Sequence, residues 1–267
     1  MGAAAKKEML CGKLHVFTRR RAGLLEQQTT AKFASLTSIV RLRATVLRFV
    51  WPALISSVVW LGTAAHSGAD FERLLTAFVQ RWGIGVTPRF NAWQAMLQTV
   101  RGGSDIERMK RVNDFFNRQI KFSEDLAIWN QPDYWATPLE TLGLGAGDCE
   151  DFAIAKYFSL KEVGVSPDKL RLIYVRARIG SSDAVASQAH MVLAYYAQPE
   201  SEPLVLDNLI SEIRPSSRRP DLVPVFSFNS EGVFTGVSGK EATPAAGTGR
   251  LSRWEDLLKR ARSDGLE

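Results

Sequence analysis

Hydrophobic residues first recur at helical spacing in Phe71, Leu74, Leu75, Phe78 and Val79, up to Trp82-Gly83. Phe90, Trp93, Met96, Leu97 and Val100 repeat that spacing, and Gly102-Gly103 stops it. Ser104-Asp105-Ile106-Glu107 places a hydroxyl three residues ahead of a carboxylate, a capping box that opens a third helix running to about Ile120. Residues 121–147 hold Pro132, Pro138 and several glycines, with Trp129, Tyr134 and Trp135 among them, and are predicted to form a structured loop. From Cys149 to about Val163 the chain reads as a helix ended by Gly164. Its apolar residues (Phe152, Ala153, Ile154, Ala155, Phe158, Leu160, Val163) surround the wheel, so it should lie inside the domain.

The pattern then turns to strands. Leu170–Arg178 alternates and is rich in β-branched residues, Ala189–Tyr196 forms a second strand, and Leu204–Asp207 a third. Val223–Phe228 and Gly232–Thr235 predict a hairpin through Asn229-Ser230-Glu231. Residues 238–250, rich in Gly, Ala, Thr and Pro, predict an exposed linker. Ser252-Arg253-Trp254-Glu255 caps a final helix to about Arg262. Helices followed by an antiparallel sheet make the fold class α+β. The domain is expected over residues 67–237, followed by the 238–250 linker and a C-terminal helix in 251–267. No internal repeat is visible.

Residues 1–66 have a different character. Arg41, Arg43 and Arg48 precede the apolar run Phe49–Leu61, and Thr63-Ala64-Ala65 follows: basic, apolar, small, the order of a secretory signal. The apolar run is shorter than the ~20 residues that span a bilayer, and the lead before it is long for a signal. Three explanations compete: a true start further downstream, an uncleaved anchor, or a buried N-terminal helix. The formal charge of +6 belongs to this segment: residues 1–48 hold ten Lys or Arg against two Glu, and the remainder holds 24 basic and 26 acidic residues. The folded part therefore offers no charge-based case for nucleic-acid binding. At 45% hydrophobic and 23% charged, the composition is that of an ordinary globular protein.

Of the two cysteines, Cys11 falls in the leader, which leaves Cys149 as one unpaired thiol in an exported protein. Cys149 sits in Gly147-Asp148-Cys149-Glu150-Asp151, at a helix start, where backbone N–H groups and the helix dipole favour thiolate. His190 lies on a strand, sharing a face with Val192, Ala194 and Tyr196, and Asp207 ends the next strand. Cysteine, histidine and aspartate in that order are the parts of a nucleophilic thiol site, with the aspartate fixing the imidazole tautomer. Each has a plainer reading: a small buried hydrophobe for Cys149, a satisfied core histidine for His190, a turn residue for Asp207. Asp148, Glu150 and Asp151 would repel a thiolate. A hard divalent cation such as Ca²⁺ would cancel that penalty, whereas the alternative is helix N-terminal charge stabilised by the dipole.

Asp133-Tyr134-Trp135-Ala136-Thr137-Pro138-Leu139-Glu140 followed by Gly145–Asp151 resembles the signature of the bacterial transglutaminase-like cysteine proteinases, and the His190 and Asp207 contexts fit the same pattern over roughly residues 70–235. The resemblance implies a papain/transglutaminase-like fold, with N-terminal helices followed by an antiparallel sheet packed on the nucleophile helix. It implies a periplasmic Cys-His-Asp protease, with Cys149, His190 and Asp207 catalytic and Asp148, Glu150 and Asp151 binding calcium. The implied substrate is a large repeat-containing surface adhesin, cut near its N-terminus at a paired-alanine site to release biofilm cells. The implied inhibitory partner is an inner-membrane cyclic-di-GMP receptor of the LapD kind. On that reading the Cys149 backbone N–H is one oxyanion donor and Trp135, whose indole N–H only donates, is the candidate second. A transamidase using the same triad and a non-catalytic binding module of the same fold are the competing readings. The linker's own paired alanines, in Thr243-Pro244-Ala245-Ala246-Gly247, raise the further idea of self-cleavage there.

Overall fold

The computed structural model describes residues 70–179, 186–235, 242–243 and 252–266. The leader with Cys11, and the 238–250 stretch apart from Ala242–Thr243, lie outside the described residues, and with them the export and self-cleavage readings. Among the described residues no helix is long and apolar enough to cross a membrane.

Three helices open the fold: α1 (Phe71–Trp82), α2 (Thr87–Val100) and α3 (Asp105–Gln119). Each start has a local cause. The Asp70 carboxylate accepts from the Arg73 N–H at the head of α1, Pro88 occupies the first turn of α2, and Ser104 accepts from the Glu107 N–H at the head of α3. Their periodic residues, Leu74 and Phe78, Phe90, Trp93 and Leu97, then Met109, Val112 and Phe116, enter one core.

The predicted loop over 121–147 is largely regular structure instead. It contains β1 (Lys121–Phe122), α4 (Asp125–Trp129), α5 (Pro138–Leu144) and β2 (Ala146–Gly147), with β1 and β2 pairing in parallel. These elements are too short to show periodicity. For α5 the start signal was nevertheless present: Thr137 and Glu140 form a capping box around Pro138. Helix α6 (Cys149–Glu162) follows and is buried from Cys149 through Leu160, as its all-round apolar character predicts.

The main sheet runs β6-β5-β4-β3-β7-β8-β9, antiparallel throughout: β3 (Leu170–Ile179), β4 (Ala186–Tyr195), β5 (Leu204–Leu206), β6 (Arg214–Pro215), β7 (Leu222–Phe228), β8 (Val233–Thr235) and β9 (Ala242–Thr243). Strand β9 lies in the stretch read as linker, so at least those two residues belong to the sheet. Between β3 and β7 the register slips, because Tyr174 faces Phe226 while Val175 faces Pro224, leaving Val225 as a bulge beside a residue with no N–H to donate. Alternation sorts the two faces. Leu170, Leu172, Met191, Leu193, Tyr195 and Phe228 join the core that contains α6, whereas Ile173, Val175, Val192, Ala194, Tyr196 and Val205 form a second cluster.

The last helix, α7 (Ser252–Asp264), is part of the same core rather than an appendage. Trp254 packs edge-on against Tyr157 and Phe228. Arg260 donates to the Trp135 carbonyl and to Glu140 Oε2, both at 2.6 Å, and thereby fastens the helix to the segment that precedes α5.

Candidate active site

Cys149 is the first residue of α6 and is 2% exposed. Its thiol donates to Glu150 Oε2 at 3.0 Å. The turn that presents it is held from both sides by Asp151, which accepts from the Ala136 N–H through Oδ1 (2.8 Å) and from the Asp148 N–H through Oδ2 (3.4 Å). Gly147 permits this closeness, since a Cβ there would sit 2.7 Å from the Asp151 Cβ and Oδ2.

Around that turn five acids converge. Asp148, Glu150 and Asp151, read from the sequence, are all buried, and the fold adds Asp125 from α4 and Asp133 from the following loop. Asp148 and Asp151 with Asp125, and Asp125 and Asp133 with Glu150, form trios whose ligand atoms lie within 4.8 Å of one another. Burial first, and then the charge of Asp148, raises Asp125 to about 7. Burial raises Asp148 to about 6, against hydrogen bonds with Glu150 that lower it. Glu150 is held well above the carboxylate range by burial and by the charges of Cys149 and Asp148, and Asp151 by burial and the charges of Asp148 and Asp125. Crowding of this kind is unfavourable unless positive charge enters. Arg253 supplies some, reaching Asp133 Oδ2 at 3.1 Å from a half-exposed position. The buried Oδ1 atoms of Asp125 and Asp148 have no hydrogen-bond partner. An all-oxygen set with unsatisfied carboxylate oxygens fits a hard divalent cation.

A second constellation sits on the sheet. Asp207 follows β5 directly, and β5 pairs antiparallel with β4, as the sequence predicts. His190 Nε2 lies 2.8 Å from Asp207 Oδ1, and both side chains are buried. The Leu209 N–H also donates to Oδ1 (3.0 Å), Arg219 donates to Oδ2 (2.7 Å), and Asn117 of α3 donates to the Asp207 carbonyl (2.8 Å). Burial pulls the Asp207 pKa upward, but the hydrogen bonds and charges of these partners outweigh it, and it lies far below the ordinary range. An ionised Asp207 only accepts, so the His190 proton sits on Nε2 and Nδ1 is the free nitrogen. Helix α6, which Cys149 opens, packs on β4.

The remaining candidate fares differently. The single indole donor of Trp135 is committed to Asp133 Oδ1 at 3.0 Å, and its ring stacks on Phe228. Trp135 therefore braces the acidic loop, and its N–H is not available as an oxyanion donor in this arrangement. Three residues escaped the sequence reading. Asp125 and Arg219 carry no local pattern, and Lys156 looked like one polar position on a buried helix. Asp133, by contrast, stood inside the quoted motif.

The comparisons agree with this architecture. The family model for bacterial transglutaminase-like cysteine proteinases (BTLCP) matches residues 92–220. Legionella pneumophila LapG is 39% identical in a superposition covering 71% of this chain and 96% of that one, with a TM-score of 0.59. Its EGTA-treated structure is 38% identical over 71% and 96%, with a TM-score of 0.61. Its calcium-bound structure is 38% identical over 71% and 98%, with a TM-score of 0.59. No curated protein sequence matches. With a thiol at the start of the central helix, a transglutaminase-like arrangement of helices and antiparallel sheet, and this degree of identity, the chain belongs to the bacterial transglutaminase-like cysteine proteinase family.

Proposed function

We propose that the chain is a calcium-dependent periplasmic cysteine endopeptidase. Its substrate is a large surface adhesin, cut near the N-terminus at a paired-alanine site to release biofilm cells, and a LapD-type cyclic-di-GMP receptor restrains it by sequestration. The observation that carries this reading is a buried thiol at a helix start, ringed by carboxylates, on a helix packed against the strand of a buried His–Asp pair. The likeness to calcium-bound LapG supports the choice of metal.

In this mechanism Cys149 Sγ attacks the peptide carbonyl and forms a thioester, while the proton taken from the thiol passes through His190 Nδ1 to the leaving amine. Water then breaks the thioester and returns the thiol. Asp207 keeps the imidazole in the required tautomer and supports its charged form. The Cys149 backbone N–H serves as an oxyanion donor in this reading. Asp148, Glu150 and Asp151, with Asp125 and Asp133 beside them, would hold calcium, whose charge would offset the acids' repulsion of a thiolate. Glu150 would turn to that cation instead of accepting from Sγ, and the thiol would then give its proton to His190. Strand phase turns His190 with Val192 and Ala194, out of step with Met191 and Leu193 in the core that contains α6, so the pairing with sulfur requires the ring to lean over the helix start.

Cleavage of a recombinant adhesin N-terminal fragment, with and without a calcium chelator, tests the function. The expected result is a single cut between alanines that stops in chelator and resumes when calcium is restored. Equal cutting in chelator would refute the calcium proposal. Incubation with a labelled amine separates hydrolysis from transamidation.

The acid cluster makes a separate thermodynamic prediction. Folded-state pKa values of about 7 for Asp125 and about 6 for Asp148 exceed the ordinary 3.8. The folded state then holds more protons than the unfolded one between about pH 4 and 7, so stability without metal falls as pH rises through that window. In chelator, Tm should drop on the order of 5 °C between about pH 5 and 7, and added calcium should raise Tm more at pH 7 than at pH 5. A chelated Tm that is flat or rising across this range contradicts the assignment.

A further inference from the structure

The Asp207 carboxylate is divided between two partners: Oδ1 faces His190 and Oδ2 faces Arg219. The Arg219 side chain is 2% exposed. It is itself aimed from the other side by Asp221, which accepts from Nε at 3.0 and 3.3 Å and from Nη2 at 2.9 Å. Its backbone is built into the turn entering β7, with its N–H on the Ser216 carbonyl and its own carbonyl accepting from Leu222. We propose that Arg219 is a positioning residue for the reaction. It grips Asp207 by Oδ2 so that Oδ1 is presented to His190, and it keeps Asp207 ionised whether or not the imidazole carries a charge. This inference rests on the triad reading above.

During turnover the imidazole alternates between neutral and charged. When it is neutral, a fully buried Asp207 needs its countercharge from another group, or it takes up a proton and stops fixing the tautomer. Among the described residues, the charged groups facing Asp207 are His190 on β4, Arg219 before β7, and Lys156 on α6. Asp221 stands behind Arg219. Lys156 is a weak candidate, because its buried Nζ has no hydrogen-bond partner and burial lowers its pKa to about 7 despite Asp207. A guanidinium does not deprotonate in a protein, and its fork can hold two carboxylates at once. Arg219 therefore supplies the constant charge, and the Asp221 bridge supplies the aim.

The test uses the full chain with calcium, the adhesin fragment as substrate, and the far-downfield NMR resonance expected for the His190 Nε2 proton. Arg219→Met should fold, lose or strongly shift that resonance, and lower kcat by about 10- to 100-fold with little change in KM. Arg219→Lys, which keeps charge without the fork, should fall between Arg219→Met and wild type in both readouts, and Lys156→Met should leave the resonance in place. A folded Arg219→Met with the wild-type resonance and a kcat within twofold of wild type would overturn the proposal. If Arg219→Met does not fold, Arg219→Lys decides, and a wild-type kcat for it would overturn the proposal equally. Cys149→Ala and His190→Ala separate the two levels. Activity in either one sinks the triad reading itself, whereas inactivity in both with a wild-type Arg219→Met sinks only the role of Arg219.

Discussion

Cys149→Ala is expected to abolish cleavage of the adhesin fragment, with a loss in kcat of about 10⁴-fold or more. The size of the loss follows from the route. Attack by sulfur divides a difficult hydrolysis into two easier steps, and without the thiol only substrate binding and the oxyanion site remain. The fold should survive the change. Cys149 is a small buried side chain, and alanine removes a single heavy atom from a site where Asp151 and Gly147 hold the backbone turn. The variant should therefore still bind the fragment and still melt cooperatively. A non-catalytic module of the same fold would act identically with alanine at 149, so wild-type behaviour in this variant would favour that reading and refute the nucleophile.

His190→Gln is expected to be almost as damaging, at roughly 10³- to 10⁴-fold in kcat, the scale on which loss of a catalytic triad member acts. The glutamine amide can still donate to Asp207 Oδ1, so the buried carboxylate keeps its neighbours Leu209, Arg219 and the replacement side chain. What it lacks is a group that takes a proton from sulfur and returns it to an amine. The loss should appear in kcat, with KM close to wild type. Equal turnover by wild type and His190→Gln would remove His190 from the mechanism.

The parts of this site differ in how far the sequence reveals them, and the reason is physical. The turn from Gly147 to Asp151 is legible because a helix start is a local event: an N-cap, acids in the first turn and a small residue before it all lie within a few positions. His190 and Asp207 are legible as strand residues because period-two alternation is also local, and the antiparallel pairing of β4 with β5 follows from the short connection between them. Asp125 and Arg219 were hidden. Each meets its partners only through tertiary packing, Asp125 by the placement of a five-residue helix and Arg219 by the turn into β7. Trp135 shows the converse. The motif flags it as important, but only coordinates reveal that its donor faces Asp133. The region from 121 to 147 was misread for a related reason: Pro138 and the glycines suggest a loop, yet Pro138 is the first residue of α5 and Gly145 is its left-handed cap.

The proposed mechanism depends on His190 making Cys149 a thiolate, and the rate at which the sulfur is alkylated reads that directly. With calcium present, at about pH 6, iodoacetamide should modify Cys149 about 10²-fold faster in the wild type than in His190→Gln. A free thiol near pKa 8.5 is almost wholly protonated there, while a histidine-paired one is not. Peptide mapping by mass spectrometry assigns the label to Cys149 rather than Cys11. That large difference is the result the account predicts; the same alkylation rate in both proteins would contradict it.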